Sequence, residues 1–434
     1  MLWLAVAALV VLPYAHNYRH LSPFDEMVHV DYVVKVQHGH LVNGGEKVGV
    51  VAMRAQACRG SDLTGAFKFP RCNQQVMRPA AFPSEGFNTS YHDPPVYYLV
   101  TAAGVAVVGL LPGVNDVVLE ARSIGVLWLG IGLILTFLLA LRLGADRWPA
   151  AGATLVVASN PAVAHTMSTV TSDAPSLITG ALLCLTALAV VRRQLSWWWL
   201  VPVAGATTAV KATGLTVVGL VVVFLLLQLL RRPSDSATTD EEITPSHQPV
   251  PRRTVWFAVI ATVGAALVSL GVWTVVTAVT SYPAAQDSPM TEAFYVDSIG
   301  WPEVIGNLLN LMTPLQSGYL PPFMSSVTLA PLMGLVNVLA IAGIAAVAWA
   351  GAARAVSLMG VASFLAMLVS GPALVLLIFA GSHTYYPIPP RYGLSLIPAV
   401  AACLAVAASR RSVGGYLLTG LGAATLTALL VQIL

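Results

Sequence analysis

Long apolar runs separated by short polar segments make up most of the chain. Their lengths are close to the roughly twenty residues that a helix needs to cross the hydrocarbon core of a bilayer. The twelve runs fall near residues 2–16, 94–112, 120–141, 148–164, 173–191, 195–210, 212–230, 254–280, 327–350, 356–380, 391–409 and 413–433. Their length and number predict an all-α fold, a polytopic transmembrane helical bundle.

The composition excludes an ordinary soluble domain. Of the 434 residues, 57% are hydrophobic and only 9% are charged, whereas about a quarter of the residues in a soluble domain are charged. The formal net charge of +3 gives no indication of nucleic-acid binding. We therefore expect membrane lipids, and no nucleic acid, among the partners of this protein.

The arginines indicate how many runs cross the membrane, because basic residues gather in cytoplasmic loops. Short basic clusters occur at Arg142/Arg147, Arg192/Arg193, Arg231/Arg232 with Arg252/Arg253, Arg354 and Arg410/Arg411. If the N-terminus is cytoplasmic and all twelve runs cross the membrane, these clusters lie on the outer side of the membrane. If the run 94–112 lies on the outer surface instead, all of them become cytoplasmic. We therefore expect about eleven spans and one outer juxtamembrane segment.

This topology divides the chain into two halves. The N-terminal half, residues 1–230, contains a first outer loop at about 17–119, and the C-terminal half, 254–434, contains another at about 281–326. The segment 231–253 is rich in Pro, Ser, Thr, Asp and Glu, which is typical of a flexible linker and places it in the cytoplasm. The outer loops form a juxtamembrane loop domain on one face of the bundle.

The four cysteines separate into two kinds. Cys184 and Cys403 lie in apolar runs, where they serve as small apolar residues. Cys58 and Cys72 lie in the first outer loop, outside the reducing cytosol, and we expect a disulfide between them. Closing such a short loop stabilises the fold by about 3 kcal/mol.

The first group of residues with useful chemistry follows the first run. Residues 22–32 are Ser-Pro-Phe-Asp-Glu-Met-Val-His-Val-Asp-Tyr, and a helix is predicted to start near Pro23 with Ser22 as its cap. Asp25 is either the fourth residue of a capping box or a general base, and the sequence supports both interpretations equally. Asp25 and His29 share a helix face and could also hold a divalent metal.

Two further motifs place a histidine and an aspartate near the membrane. His92 and Asp93 open the juxtamembrane segment, ahead of tyrosines that suit the interface between lipid and water. Asp173, with His165 nearby, lies in an outer turn between two spans. Capping of a helix is the simple explanation for Asp173, and contact with a substrate is the alternative.

Two outer basic residues depart from the topology rule. Lys211, one of four lysines, lies at the outer end of two short helices, and Arg391 precedes a late span together with Tyr392. An ionisable residue at this depth is a candidate functional group. Both cations suit the phosphate of a lipid-linked substrate, and snorkelling of a long basic side chain is the alternative.

The order of these motifs resembles the GT-C superfamily of membrane glycosyltransferases, in the branch of protein O-mannosyltransferases and aminoarabinose transferases. An acidic pair follows the first span, and His-Asp-Pro-Pro-Val-Tyr-Tyr opens a juxtamembrane helix at residues 92–98. Ser172-Asp173 starts the fourth span, a lysine comes between the next spans, and an Arg-Tyr pair precedes a late one. The resemblance covers most of residues 1–230 and the region of Arg391.

The resemblance implies an inverting enzyme that moves a sugar from a polyprenyl-phosphate donor to a lipid, glycan or protein acceptor at the outer face. The catalytic carboxylate would be Asp25, with Glu26 as the alternative, and Lys211 and Arg391 would stabilise the departing phosphate. Further residues implied at the donor and substrate sites are His92, Asp93, Tyr392, His29, His165 and Asp173. A divalent metal is left open, and no other cofactor is implied.

Two other classes of function compete with an enzyme. A transporter or lipid flippase for an envelope precursor would place ionisable residues near the bilayer midplane, and many transporters contain inverted repeats. Here the spans are nearly free of acids, and no repeat is visible. A non-catalytic scaffold would not need these polar residues on one face. We expect an enzyme of the bacterial inner membrane, with a cytoplasmic N-terminus and an extracytoplasmic active site.

Overall fold

The computed structural model describes residues 1–62, 68–110, 115–230, 250–283, 289–312, 324, 326–349 and 354–434. Most of the linker predicted at 231–253, and much of the outer loop predicted at 281–326, lie outside these residues. The division of the chain into two halves therefore stays a prediction. In the described part the structure is all-α, since β-type pairing is confined to three isolated bridges.

Helices follow one another along the whole described chain. The α-helices are α1 (Leu2–Asn17), α2 (Glu26–Gln37), α3 (Val50–Arg59), α4 (Val96–Val108), α5 (Val117–Ser123), α6 (Gly125–Leu143), α7 (Arg147–Ala158), α8 (Pro161–Ser168), α9 (Ser176–Val191), α10 (Leu200–Val210), α11 (Leu215–Leu229), α12 (Arg252–Thr280), α13 (Pro289–Phe294), α14 (Trp301–Ile305), α15 (Ser326–Trp349), α16 (Arg354–Ser382), α17 (Ile397–Ser409) and α18 (Ser412–Ile433). Short 3₁₀-helices lie at Pro79–Ala81, Pro83–Gly86, Thr89–His92, Trp197–Trp199, Ala212–Gly214 and Pro390–Leu396.

Several helices are long and apolar enough to cross a membrane. In the described part there are seven: Val117–Leu143, Ala212–Leu229, Arg252–Thr280, Thr328–Trp349, Arg354–Ser382, Pro390–Ser409 and Ser412–Ile433. The shorter helices α1, α4 and α9 are also apolar. A multi-pass membrane protein is therefore confirmed, whereas the count of about eleven spans stays a prediction.

The basic clusters at Arg142/Arg147, Arg192/Arg193 and Arg410/Arg411 lie at one end of the bundle. A guanidinium nitrogen of Arg192, after α9, donates a hydrogen bond to the carbonyl of Arg142 near the end of α6, at 2.5 Å. The backbone N–H of Asp146 donates to the hydroxyl of Ser409 at the end of α17, at 2.9 Å. The start of α9 and the segment leading into α17 lie at the opposite end, where the candidate site residues are found.

Polar contacts hold the segment predicted as the first outer loop against the helices of the bundle. The carboxylate of Asp31, on α2, accepts hydrogen bonds from the backbone N–H of Gly49 and from the side-chain amide of Asn88, both at 2.7 Å. A disulfide joins Cys58 to Cys72. These links join α2, α3 and the 3₁₀ segments into one unit, which carries Asp25 and its surroundings.

A close approach of two backbones fixes the segment that carries Arg391. The 3₁₀-helix Pro390–Leu396 leads into α17, whose residues are buried in the centre of the bundle. A Cβ atom added to Gly180 on α9 would lie only 2.0 Å from the carbonyl oxygen of Ser395. A side chain at position 180 would therefore push this segment away from α9.

We predict that Gly180→Ala lowers the thermal midpoint of the purified protein, because the added methyl group overpacks the contact at a cost of about 1–3 kcal/mol. Gly219→Ala on α11 is the matched control, since no atom lies within 4 Å of its added Cβ. The control should be neutral, or stabilising by up to about 1 kcal/mol. Equal shifts for the two variants in a thermal unfolding assay would contradict this account.

Candidate functional site

The backbone before α2 differs from the predicted helix start. α2 begins at Glu26, and Asp25 occupies the N-cap position in the left-handed conformation, with no hydrogen bond from its side chain to the first turn. The hydroxyl of Ser22 instead contacts Nε2 of His165 at 2.8 Å. The predicted capping box is therefore wrong, because His165 engages Ser22 and the helix starts only after Asp25.

Asp25 is an exposed carboxylate in a strained turn. Its φ is 61°, a value that is uncommon for any residue other than glycine, although Asp is among those that tolerate it. Its side chain makes no hydrogen bond or ion pair with any residue that the structure describes. Backbone strain of this kind concentrates at functional sites. The Asp25 carboxylate is thus unoccupied by any side chain in the described part of the chain.

Glu26 is fully buried, and both of its oxygens are occupied. Nε and Nη2 of Arg122 donate to its two oxygens, each at 2.7 Å, and the backbone N–H groups of Ser22 and Val170 donate at 2.6 and 2.9 Å. Burial favours the neutral form of Glu26, but Arg122 and these hydrogen bonds outweigh it and lower the pKa of the carboxyl. Glu26 therefore anchors α2, whereas Asp25 remains free.

Four charged residues that were predicted separately lie in one line of contacts. Nζ of Lys211 lies 2.9 Å from Asp173 and 4.0 Å from Asp93. It also donates to the hydroxyl of Ser172 at 2.7 Å, and that hydroxyl donates to Asp93 at 2.6 Å. Nε of Arg391 lies 3.6 Å from the second oxygen of Asp173. We call Asp93, Asp173, Lys211 and Arg391 the charge cluster.

The two cations of the charge cluster are more accessible than the carboxylate between them. Only 4% of the Asp173 side chain is exposed, compared with 13% for Lys211 and 25% for Arg391. Burial opposes ionisation of Asp93, but Lys211, His29 and the Ser172 hydroxyl together lower the pKa of this carboxyl. The charge cluster is therefore balanced without a ligand, and parts of Lys211, Arg391 and Asp93 (20% exposed) reach its open side.

Phe24 connects the charge cluster to Asp25. The guanidinium of Arg391 lies 4.5 Å from the centroid of the Phe24 ring and 5.6 Å from that of Tyr392. The hydroxyl of Tyr392 is 3.5 Å from that of Tyr386. Because Phe24 directly precedes Asp25, this cation–π stack, typically worth about 0.5–1 kcal/mol, keeps the free carboxylate beside a cation.

Two of the candidate histidines lie close to Asp93. His29 is buried, and its Nδ1 is 2.7 Å from the hydroxyl of Tyr98, which donates to Asp93 at 3.3 Å. His92 is exposed, and its ring packs on Tyr91 with the centroids 3.8 Å apart. His29 thus supports the charge cluster from inside the protein, whereas His92 lies at its solvent-facing edge.

The third candidate, His165, lies beneath the turn that carries Asp25. Its two ring nitrogens contact the hydroxyls of Tyr14 and Ser22 at 2.6 and 2.8 Å. Its ring meets the edge of the Phe24 ring at a centroid distance of 6.0 Å. His165 therefore supports Phe24 from below, and the structure does not place it at the open side of the site.

The structure offers no ready metal centre among the residues it describes. In that part of the chain no group of three or more His, Cys, Asp and Glu side chains is arranged to hold a metal ion. The Nδ1 atom of His29 is already engaged by Tyr98. A metal ion bound by Asp25 and His29 stays a prediction.

Two residues of the site were missed from the sequence. Arg122 was counted as part of the apolar run 120–141, although an arginine inside such a run is itself a signal for a buried partner. Phe24 carried no signal, because its importance depends on Arg391, which lies far away along the chain.

A cavity of about 120 Å³ opens on the other side of Asp25. Its walls come from the turn before α2, from α3 and from the 3₁₀ segments of the first outer loop, and they include Asp25, Gln56, Ser84, Phe87 and Thr89. None of the four residues of the charge cluster lines it. We call it the outer cavity. Asp25 therefore lies between this cavity, whose wall holds both apolar and polar side chains, and a pair of cations.

We predict that Arg122→Met destabilises the protein strongly, by about 3–5 kcal/mol, because it leaves the buried Glu26 carboxylate without its charge partner. Arg54→Met is the matched control, since Arg54 is exposed on α3 and should change little. The measurement is the thermal midpoint of each purified variant at neutral pH. A small effect at position 122 would show that α2 does not depend on the ion pair.

Comparison with known proteins gives one informative fold match. The sequence matches no family model and no curated protein. The structure of ArnT from Cupriavidus metallidurans bound to undecaprenyl phosphate aligns with a TM-score of 0.52 and 17% identity, covering 98% of this chain and 62% of that one. The structure of ArnT in the apo state aligns with a TM-score of 0.47 and 17% identity, covering 95% of this chain and 59% of that one. This chain thus spans less than two thirds of the length of ArnT. It has the fold of ArnT, which confirms the predicted all-α, multi-pass membrane fold.

Proposed function

We propose that this protein is an integral membrane glycosyltransferase that moves a sugar from a polyprenyl-phosphate-linked donor to an acceptor hydroxyl. The observation that carries the proposal is the free carboxylate of Asp25 beside the cations of the charge cluster, joined by the stack of Phe24 and Arg391. The transfer requires a base that takes the proton of the acceptor hydroxyl, and cations beside it that hold the phosphate of the donor. The fold shared with ArnT, which was solved with undecaprenyl phosphate bound, supports this class of donor.

In the proposed reaction, the oxygen of the acceptor hydroxyl attacks the anomeric carbon of the donor sugar. A new carbon–oxygen bond forms while the bond from that carbon to the phosphate oxygen breaks, and the electron pair of the broken bond leaves with the phosphate. Asp25 takes the proton of the acceptor hydroxyl. The products are the glycosylated acceptor and polyprenyl phosphate. Lys211 and Arg391 balance the negative charge that develops on the phosphate.

Asp93 and Asp173 act as positioning residues in this scheme. They hold Lys211 and Arg391 in place before the donor arrives, so that little reorganisation is needed when the phosphate binds. His92, at the exposed edge, shapes the donor site together with Tyr392, which lies beside the guanidinium of Arg391.

The carboxylate arrangement supports a single displacement, which inverts the anomeric configuration. A retaining route through a covalent intermediate, as in glycosidases, uses two free carboxylates about 5 Å apart. Glu26 is the neighbour of Asp25 along the chain, but Arg122 holds both of its oxygens. One free carboxylate at this position therefore favours direct attack by the acceptor.

The arrangement of charges supports an extracytoplasmic active site in the bacterial inner membrane. Arg142 and Arg192 mark one end of the bundle, which the positive-inside rule assigns to the cytoplasm. The charge cluster lies at the opposite ends of the same helices. A polyprenyl-linked donor would reach it within the outer leaflet, and the N-terminus would be cytoplasmic.

We predict that Asp25→Asn lowers sugar transfer by about 10²–10⁴-fold, because the amide cannot accept the proton of the acceptor. The assay uses purified protein, labelled polyprenyl-phosphate sugars and a crude cell-envelope acceptor extract, with and without divalent cations. Asp297→Asn is the control, since Asp297 is exposed on the second outer loop. If the wild type consumes no donor under any metal condition, the enzyme proposal fails and a lipid flippase becomes the leading alternative.

We also predict that Lys211→Gln weakens binding of undecaprenyl phosphate by about 10- to 100-fold, the typical effect of losing a charge-assisted hydrogen bond. Lys68→Gln removes the same charge from an exposed position of the first outer loop and should leave binding unchanged. Arg391→Gln serves as a second variant, and the thermal midpoint of each protein shows that it is folded. Equal affinities for all four proteins would contradict the donor site.

A further inference from the structure

We propose that the outer cavity binds the acceptor, and that the acceptor is a neutral, hydroxyl-rich glycan. This inference rests on the proposed function, because it assigns the second substrate of the same transfer. It is carried by three properties of the outer cavity: its position relative to Asp25, the free polar groups in its walls, and the sign of the charges that line it.

The position of the outer cavity suits the second substrate. Asp25 is part of its wall, whereas Phe24, the residue before it, packs under Arg391. A molecule in the outer cavity therefore reaches Asp25 from the side away from the cations. A hydroxyl held there can give its proton to Asp25 while its oxygen attacks a sugar whose phosphate lies on Lys211 and Arg391.

The walls of the outer cavity carry polar groups without partners. The hydroxyls of Ser84 and Thr89 make no side-chain hydrogen bond with any residue in the described ranges. The amide nitrogen of Gln56 donates to the carbonyl of Gly60 at 2.7 Å, which leaves its amide oxygen as an acceptor. Hydroxyl and amide groups both give and accept hydrogen bonds, as sugar hydroxyls do. Apolar side chains, among them Met27 and Phe69, make up much of the remaining wall, and the C–H face of a sugar can pack against such a surface.

The charges of the outer cavity disfavour an anionic acceptor. Among the described residues that line it, the charged ones are Asp25 and Glu26, and Arg122 neutralises Glu26. The ammonium of Lys47 lies 3.0 Å from the centroid of the Phe87 ring and donates to the carbonyl of Glu85, but Lys47 is not part of the wall. A phosphate in the cavity would meet the Asp25 carboxylate with no cation between them, which is unfavourable.

The backbone at the wall provides an independent indication of a ligand site. Ser84 is left-handed, with φ 51°, as is Asp25 with φ 61°. Neither residue is glycine, and each such conformation costs of order 1–3 kcal/mol. Strained residues cluster where a ligand is held. Two of them in the wall of one cavity, next to unpartnered hydroxyls, fit a preformed binding site.

The test is binding of trisaccharides to the full chain in lipid nanodiscs, which avoids sugar-based detergents. The probes are neutral manno-, gluco- and arabino-trisaccharides and a phosphorylated mannotriose, and undecaprenyl phosphate is titrated in parallel. The variants are Thr89→Val and Ser84→Gly, each of which removes one hydroxyl, and Thr89→Ser, which restores it at position 89. We expect at least one neutral trisaccharide to bind, with affinity reduced about 3- to 10-fold by each hydroxyl removal and recovered in Thr89→Ser. Binding of undecaprenyl phosphate should be unchanged.

Three outcomes would overturn the inference while leaving the proposed function intact. In the first, undecaprenyl phosphate binds but no neutral trisaccharide does. In the second, the phosphorylated trisaccharide binds more tightly than its neutral counterpart, and in the third, trisaccharide affinity is the same in Thr89→Val as in the wild type. The opposite failure is also distinguishable. If a trisaccharide binds in a way that depends on Thr89 but undecaprenyl phosphate does not bind, the outer cavity remains a glycan site and the polyprenyl-phosphate transferase proposal fails.

Discussion

The geometry of the site depends on the buried ion pair between Glu26 and Arg122. Removing two charges from water costs several kcal/mol for each ion, and this cost is offset only when every remaining donor and acceptor is satisfied. Arg122 meets this condition by also donating to the carbonyls of Tyr18 and His20, which lie between α1 and α2. The pair therefore fixes the path of the chain on both sides of Asp25, and the strained turn at this residue cannot relax into a longer helix.

The charge cluster shows how helix ends can build a site inside a membrane bundle. Its residues come from the start of α4, the turn before α9, the junction of α10 and α11, and the segment leading into α17. No two of them are neighbours in sequence, yet alternating signs bring all four into contact. Because the carboxylate of Asp173 is the most deeply placed, Lys211 and Arg391 are held by it while part of each side chain stays exposed, as does part of Asp93. The same contacts join four helix ends.

Much of the fold follows from the sequence, because the lipid environment imposes a strong pattern on spanning helices. The hydropathy runs predicted an all-α membrane protein, and outlying charges such as Lys211 and Arg391 identified members of the cluster. Their mutual contacts could not be predicted, since they depend on tertiary packing. The number of spans is hard to derive for a similar reason: short apolar helices such as α4 and α9 give the same signal as spanning ones.

The error at the start of α2 has a physical explanation. Ser22 followed by Pro23 is a strong local signal for a helix N-terminus. Such a signal determines where a helix starts when no tertiary contact opposes it. Here His165, from a distant part of the chain, binds the Ser22 hydroxyl. The burial of Glu26 then sets the first turn of the helix. Tertiary contacts thus overrode the local preference at the position where the chain carries its free carboxylate.

The left-handed backbone at Asp25 also limits which side chains this position accepts. Glycine enters that conformation without penalty, and Asn and Asp are the side-chain-bearing residues that visit it most readily. Of these three, only Asp carries a carboxylate, which can act as a general base. A glutamate would bring the same acid on a longer side chain, but it adopts this conformation less readily. The main-chain conformation at this position therefore favours Asp over Glu as the carboxylate, although Ser84 and Glu85 adopt a similar conformation elsewhere in the chain.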